Sequence, residues 1–358
     1  MSIYKKFTVR SKIKDYSVYF SDDFGDGLES GLDKRPFIMI DGKVARLYKK
    51  ELGRFLKKYS HLVIEATEPN KALANINTII RRLIDNDVKK SHVLVAMGGG
   101  IIQDITGFIA SIMYRGMDWI FYPTTLLAQS DSCIGSKTSI NVDGYKNQIG
   151  NFYPPRKIFL NTGYLKTLSD ADIRSGLGEI IKVHLLDGKK MAGYVAVNYE
   201  ASIGDPAVMD ALIYNSLKIK KGVIEKDEFD AGYRNIMNYG HTFGHSLESV
   251  TGYRVPHGQA VTVGMDISNY LSWKIGYINE AVYRWMRLAI EKNMPSLENF
   301  DINMAAFFKG LTKDKKNVDS RVAMILTRGP GKMFKEAYPL DGRMKNLIRA
   351  YFKKTALR

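Results

Sequence analysis

The 358-residue chain is predicted to fold as an α/β domain built on a parallel sheet, followed by an all-α domain. Its length exceeds what one hydrophobic core usually serves, so two domains are expected. The first part alternates short apolar runs with amphipathic ones, and strand–helix–strand alternation implies parallel strands joined by crossover helices. From about residue 162 the pattern becomes long amphipathic stretches. The change falls in NFYPPRKIFLNTGYLKTL, where Pro154 and Pro155 break any helix. The expected domains are therefore 1–160 and 161–358.

RPFIMI (35–40), HLVIEA (61–66), SHVLVAM (91–97) and DWIFYP (118–123) read as short buried strands, each bounded by Gly, Pro, Asp or polar residues. NKALANINTIIRRLIDNDV (70–88) and IIQDITGFIASIMY (101–114) carry apolar residues at helical spacing. The helices of the second domain are drawn from SDADIRSGLGEIIKVHLL, DPAVMDALIYNSLKIKKGVIEK and AVYRWMRLAIEKN.

Composition narrows the class. A hydrophobic fraction of 45% and a charged fraction of 25% belong to a soluble globular protein. There is no apolar run of about 18 residues that could span a membrane, and the N-terminus lacks the apolar core of a signal peptide. The single cysteine, Cys133, cannot form an internal disulfide, which points to a cytoplasmic location. The net charge of +16 is spread along the chain without a zipper, zinc-finger or RNP-like pattern. It argues for an anionic small substrate rather than nucleic acid.

Three stretches carry chemistry. In VAMGGGIIQDITGF (95–108), three glycines stand where a strand ends and a helix begins. Such a turn suits a pyrophosphate, and equally a tight structural turn; the spacing is not G-x-G-x-x-G. YPTTLLAQSDSCIGSKTSINVDGYKNQIG (122–150) gathers Asp131, Lys137, Lys146 and Asn147 among hydroxyls and glycines. NYGHTFGHSLESV (238–250) places two of the chain's six histidines, His241 and His245, one helical turn apart. That spacing is familiar from zinc sites, but the H-E-x-x-H glutamate is missing. Further ligands could come from His257 or Glu179, with Cys133 a possible thiol, and two satisfied core histidines are the plain alternative.

Together these motifs resemble the sugar phosphate cyclases, most of all the dehydroquinate synthases. The resemblance runs over roughly residues 60–330 through MGGGIIQDITGFIA, YRGMDWIFYPTTLLAQSDSCIGSKTSIN, KNQIGNFYPP, LKTLSDADIRSGLGEIIK, RNIMNYGHTFGH, PHGQAVTVGM and KDKK, in the family's order. It implies a Rossmann-like NAD-binding α/β domain, a helical metal- and substrate-binding domain, and an active site in the cleft between them. By family match Glu179, His241 and His257 hold zinc, or cobalt, while His245 faces substrate. Gly99, Gly100, Asp104, Thr124 and Thr125 would line the NAD site, with Glu68 and Lys71 also on the cofactor. Asp131, Lys137, Lys146, Asn147, Lys182, Lys220, Arg234, Asn238 and Lys315, one of the 315–316 pair, match substrate-pocket positions. Of these, Asp131, Lys137 and Lys146 count towards the cofactor as well. Arg115 matches an arginine that completes the neighbouring subunit's site, implying a homodimer.

The implied activity is a carbon–oxygen lyase of the shikimate route to aromatic amino acids. It converts 3-deoxy-D-arabino-heptulosonate 7-phosphate to 3-dehydroquinate and phosphate by transient NAD oxidation, phosphate elimination, re-reduction and intramolecular aldol closure. Lys220 and Arg234 stand at anion-recognition positions, and a guanidinium suits a carboxylate. Asn238 stands where inosose-forming relatives are expected to carry an acid. Four departures stand out: Gln103 replaces a glycine, Ser136 interrupts Gly-Gly-Lys, Val183-His184 replaces Tyr-Gly, and Gln259 replaces a glutamate. They fit either an altered sugar phosphate or neutral change. The competing functions are a cyclase for sedoheptulose 7-phosphate or glucose 6-phosphate, and an NAD- and metal-dependent polyol dehydrogenase.

Overall fold

The computed structural model describes residues 3–25, 27–28, 32–143, 145–298, 300–312 and 321–355. They form two compact units, Met1–Leu168 with Lys221–Phe229 and Ser169–Lys220 with Asp230–Arg358. No composition shift in the sequence announces the return of Lys221–Phe229 to the first unit.

In chain order the first unit contains β1 (Ile3–Val9), β2 (Tyr16–Ser21), β3 (Arg35–Asp41), α1 (Gly42–Leu47), α2 (Lys49–Lys58), β4 (His61–Ile64), α3 (Leu73–Asp85), β5 (His92–Gly98), α4 (Gly100–Ile112), β6 (Trp119–Pro123), β7 (Ile140–Val142), β8 (Tyr145–Ile149) and β9 (Lys157–Leu160). Seven strands form one sheet in the order β1-β2-β9-β6-β5-β3-β4. All pairings are parallel except β1 with β2. The four strands and two helices read from periodicity are present. The inner strands β5 and β6 are continuously apolar because both their faces are covered. β1, by contrast, alternates half-buried and exposed residues and ends the sheet.

Ile38 and Ile40 of β3 meet Val93, Val95 and Met97 of β5 in the core, under Tyr48, Leu52 and Phe55. The strand after β3 is β4, on one side, whereas β6, the strand after β5, lies on the other. The connections thus part above Asp41 and Gly98, the geometry that opens a ligand crevice at the carboxyl ends of parallel strands.

The second unit holds α5 (Asp170–Asp187), α6 (Lys189–Gly204), most of α7 (Pro206–Lys226), α8 (His241–Val250), α9 (His257–Ile275), α10 (Glu280–Ile290), α11 (Met304–Thr312), β10 (Arg321–Thr327), β11 (Met333–Pro339) and α12 (Gly342–Thr355). Every residue from Gly258 to Ser272 is buried, which makes α9 the central helix. α5 starts with a reciprocal capping box between Ser169 and Asp172. The unit is helical as expected, with one antiparallel hairpin, β10–β11, added.

His184 sits on α5 with no exposed surface, its Nδ1 2.8 Å from the Ile180 carbonyl and its Nε2 without a hydrogen-bond partner. Burial pushes its pKa down to about 4, only partly offset by the Ile180 bond. Between the ordinary 6.5 and this value the unfolded chain binds the proton and the folded chain does not. This group therefore removes stability as pH falls through that window, by up to about 3 kcal/mol. In urea melts at pH 7 and pH 4.5, His184→Leu is expected to lose less stability on acidification than the parent.

Candidate metal and nucleotide sites

Glu179, in the middle of α5, is 1% exposed. Its Oε1 lies 3.3 Å from His257 Nε2 and 3.6 Å from His241 Nε2, and Lys182, one turn on, forms an ion pair with Oε2. One ligand atom from each of Glu179, His241 and His257 falls within 4.8 Å of the other two. Ligands about 2.0–2.1 Å from a tetrahedral ion stand about 3.3 Å apart, so the carboxylate–imidazole spacings suit zinc. The tautomers suit it too. His241 Nδ1 faces the Tyr239 carbonyl at 3.3 Å and His257 Nδ1 faces Glu248 Oε2 at 3.2 Å. An acceptor beside each Nδ1 keeps the proton there and leaves the Nε2 lone pair for a metal. The donor set therefore fits zinc or cobalt.

The electrostatics agree. Burial alone would raise the Glu179 carboxyl, but Lys182 and His257 hold it well below the usual range. Burial would lower the His257 imidazole, but Glu179 and Glu248 outweigh it and bring it up to about 10. Positive charge beside Glu179 is therefore favoured.

Glycines bring the three candidate ligands together. A Cβ on Gly178 would stand 2.1 Å from the Gly258 carbonyl oxygen, and one on Gly258 would stand 1.8 Å from that of Ser175. α5 and α9 therefore touch backbone to backbone next to Glu179 and His257. At the start of α8, Gly240 has φ +82 and its carbonyl oxygen would be 1.9 Å from a Cβ on Gly264 of α9. His245 lies one turn along α8, exposed, with its ring 5.3 Å from that of His241 and 5.8 Å from that of His257. The pair at i and i+4 thus divides between two overlapping candidate sets, Glu179–His241–His257 and His245–Glu248–His257.

In the first unit a second cluster forms. Lys71 Nζ lies 2.6 Å from Asp104 Oδ2 and donates to Asn147 Oδ1 at 2.7 Å. Glu68 Oε1 accepts from Asn141 Nδ2 at 2.7 Å, and Asn141 Oδ1 accepts from the Asn147 N–H at 2.8 Å. Burial pushes the Asp104 carboxyl up to about 6, with Lys71 partly offsetting it. Asn141 joins Glu68 to Asn147, and the sequence reading missed it, since nothing in its neighbourhood marks it.

Nearby, Gly99 precedes α4, whose first turn has no side-chain cap. A Cβ on Gly99 would crowd Thr125 Cγ2 at 2.9 Å, whereas one on Gly100 would meet nothing within 4 Å. Thr124 donates its N–H to the Gly98 carbonyl at 3.0 Å. Uncapped N–H groups beside open glycine at the carboxyl end of β5 suit a pyrophosphate, so these residues fit NAD.

Of the remaining candidates, Lys182, Lys220 and Arg234 are buried in the second unit, and Asn238 donates to the Asn235 carbonyl at 3.1 Å. Asp131 is half-buried, and Lys137, Lys146 and Asn147 are exposed. Arg115 is exposed on a turn where Tyr114, Arg115 and Gly116 all have positive φ. Lys315 lies outside the described residues. Two departures find partners. Gln103 Nε2 donates to the Ser132 carbonyl at 2.6 Å and its Oε1 accepts from the Ser132 hydroxyl at 2.7 Å. Gln259 Nε2 donates to the Asn293 carbonyl at 3.4 Å, a bond that a glutamate could not make.

Two outcomes follow from the ligand geometry. Gly258→Ala is expected to force α5 away from α9 and lower zinc content per chain well below one while the far-UV spectrum stays helical; metal analysis after dialysis reads it. Glu248→Gln is expected to weaken zinc binding about 10- to 100-fold, the usual cost of losing a carboxylate behind a ligating histidine, in competition with a chromogenic chelator.

Comparison with known proteins places the chain in a family. The sequence profile for the N-terminal part of 3-dehydroquinate synthase matches residues 61–175, and that for its C-terminal part matches 176–317. The 3-dehydroquinate synthase of Alkaliphilus metalliredigens is 35% identical over 309 residues, covering 84% of this chain and 86% of its own. That of Clostridium tetani is 37% identical over 290 residues, covering 79% and 77%. Among solved structures, 2-deoxy-scyllo-inosose synthase complexed with carbaglucose-6-phosphate, NAD+ and Co2+ gives a TM-score of 0.83 at 22% identity, covering 98% of this chain and 100% of its own. The 2-epi-5-epi-valiolone synthase of Streptomyces hygroscopicus subsp. jinggangensis, with NAD+ and Zn2+ bound, gives 0.83 at 24%, covering 98% and 99%. Glycerol dehydrogenase from Schizosaccharomyces pombe is a weaker match, at 0.56 and 15%, covering 92% of this chain and 86% of its own. These structures speak to the fold alone; the matched profiles and relatives show that the chain belongs to the 3-dehydroquinate synthase family.

Proposed function

We propose that this chain is a 3-dehydroquinate synthase that uses NAD and zinc to convert 3-deoxy-D-arabino-heptulosonate 7-phosphate to 3-dehydroquinate and phosphate. The observation that carries this reading is the set of buried Glu179 with the half-buried His241 and His257 at tetrahedral-ligand spacing, in a chain matched by both parts of the family profile. When bound, NAD accepts and returns a hydride and zinc acts as a Lewis acid towards a sugar oxygen. Lys182 keeps Glu179 ionised and sets a positive charge beside the ligands. Lys220 and Arg234 supply buried cationic groups for the substrate's anions, and Arg234 suits a carboxylate by its fork of donors. Lys137, Lys146 and Asn147, on the exposed stretch after β6, bind the polar end of the same substrate. Asn238 stays neutral, which suits an acidic substrate, and the exposed imidazole of His245 holds or moves a proton next to the ligand set.

On the cofactor side Glu68, Lys71 and Asp104 tie the nucleotide cluster together, and Gly99, Gly100, Thr124 and Thr125 shape the turn for the pyrophosphate. We further propose a cytoplasmic homodimer in which Arg115, held out on its strained turn, completes the neighbouring site.

Phosphate release tests the assignment. The zinc-loaded protein is expected to release phosphate from the heptulosonate phosphate in the presence of NAD, and not from sedoheptulose 7-phosphate or glucose 6-phosphate. Release should stop with a chelator and return with zinc or cobalt, with no net NADH. Phosphate released from one of the other two sugars alone would reassign the substrate; NADH accumulating without phosphate would indicate a dehydrogenase.

A further inference from the structure

Ser136 precedes Lys137 at a place where the backbone turns twice through the left-handed region, with φ +111 at Gly135 and +65 at Ser136. Glycine would take both positions without strain, so a serine at the second needs a compensating interaction. The structure supplies one. Ser136 is buried, and its hydroxyl donates to Glu228 Oε1 at 3.2 Å. Glu228 is 3% exposed and accepts two further bonds, from the Ser11 hydroxyl at 2.6 Å and the Lys12 N–H at 2.7 Å. On the other side, the hydroxyl of buried Tyr16 accepts from the Gly135 N–H at 3.0 Å.

The anchoring continues past the turn. The Ser136 carbonyl accepts from the Tyr153 N–H at 2.6 Å, and Lys137 forms an antiparallel bridge with Phe152. Phe152 packs edge-on against Phe229, the neighbour of Glu228, with ring centroids 5.2 Å apart. Glu228 and Phe229 both belong to Lys221–Phe229, the stretch that packs with the first unit although the chain around it does not. Lys137 itself is exposed. A rigid base therefore carries the long, exposed side chain of Lys137.

We propose that Ser136 and Glu228 are positioning residues: their hydrogen bond fixes the backbone of Lys137 so that its ammonium meets an anionic group of the sugar phosphate. This rests on Lys137 contacting substrate, as proposed above. An ammonium is a point charge on four rotatable bonds, and the affinity it contributes depends on how far its base is already fixed. Where the family pattern has glycine, this chain gains stiffness through the hydroxyl at the cost of a strained φ.

The test uses full-length protein loaded with NAD and zinc and measures phosphate release. Ser136→Ala and Glu228→Gln are each expected to raise KM for the sugar phosphate about tenfold, with kcat changed much less. The double variant should be no worse than the poorer single one, since both break the same bond. Ser136→Gly removes the hydroxyl together with Cβ and relaxes the strained backbone, so it should also raise KM; if Glu228→Gln fails to fold, the two Ser136 variants decide. Lys137→Met separates the layers. If Lys137→Met raises KM while the Ser136 variants leave it unchanged, the clamp is refuted and the substrate role of Lys137 stands. An unchanged KM in Lys137→Met overturns both. A lower melting temperature with unchanged KM in the Ser136 variants would mean that the bond only stabilises the fold, and would also overturn the proposal.

Discussion

A carboxylate buried among imidazoles sets the terms for the second unit. Glu179 is shut off from water and faces two histidine nitrogens and a lysine, an arrangement that supplies the positive charge a buried carboxylate needs and fits a metal ion. To bring that carboxylate from α5 to His257 on α9, the helices must approach until their backbones touch. Gly178 and Gly258 remove the atoms that would prevent it. α9 in turn must be buried along nearly its whole length, with α5, α8 and α10 packed on it. The ligand set and the helical packing are therefore one problem with one solution.

The first unit works by a different physics. Its inner strands β5 and β6 are apolar throughout because both their faces are covered, and the candidate cofactor turn lies at the carboxyl end of β5. There the glycine turn leaves helix N–H groups uncapped while Lys71, Asp104, Glu68, Asn141 and Asn147 cross-link the surrounding segments. The cross-links are polar side chains from α4, β7, β8 and the short turn Glu68–Lys71, held by hydrogen bonds and one ion pair rather than apolar packing. Such a region is rigid enough to orient a nucleotide and polar enough to release it.

Local periodicity made β3, β4, β5, β6, α3 and α4 legible in the sequence, since burial writes itself into the order of residues, whereas β2 and β9 inside the same sheet went unread. β1 was not legible, because adjacent Lys5 and Lys6 put a lysine on each face and break its apolar alternation, and β10–β11 was hidden among helices. The spacing of His241 and His245 suggested a metal but not which histidine binds it. That depends on where α9 presents His257, and residue order alone does not encode it. Glu248, Asn141 and Glu228 escaped notice for the same reason: each acts through a partner distant in the chain or the fold. The departures at Gln103 and Gln259 became intelligible once Ser132 and Asn293 were seen beside them.

The central claim is the identity of the three ligands. X-ray absorption at the zinc edge of the loaded protein tests it most directly. Two imidazole nitrogens and a carboxylate oxygen at about 2.0–2.2 Å, completed by a light atom from solvent, is the expected shell. A sulfur scatterer near 2.3 Å, which would implicate Cys133, or a shell without imidazole, would contradict it.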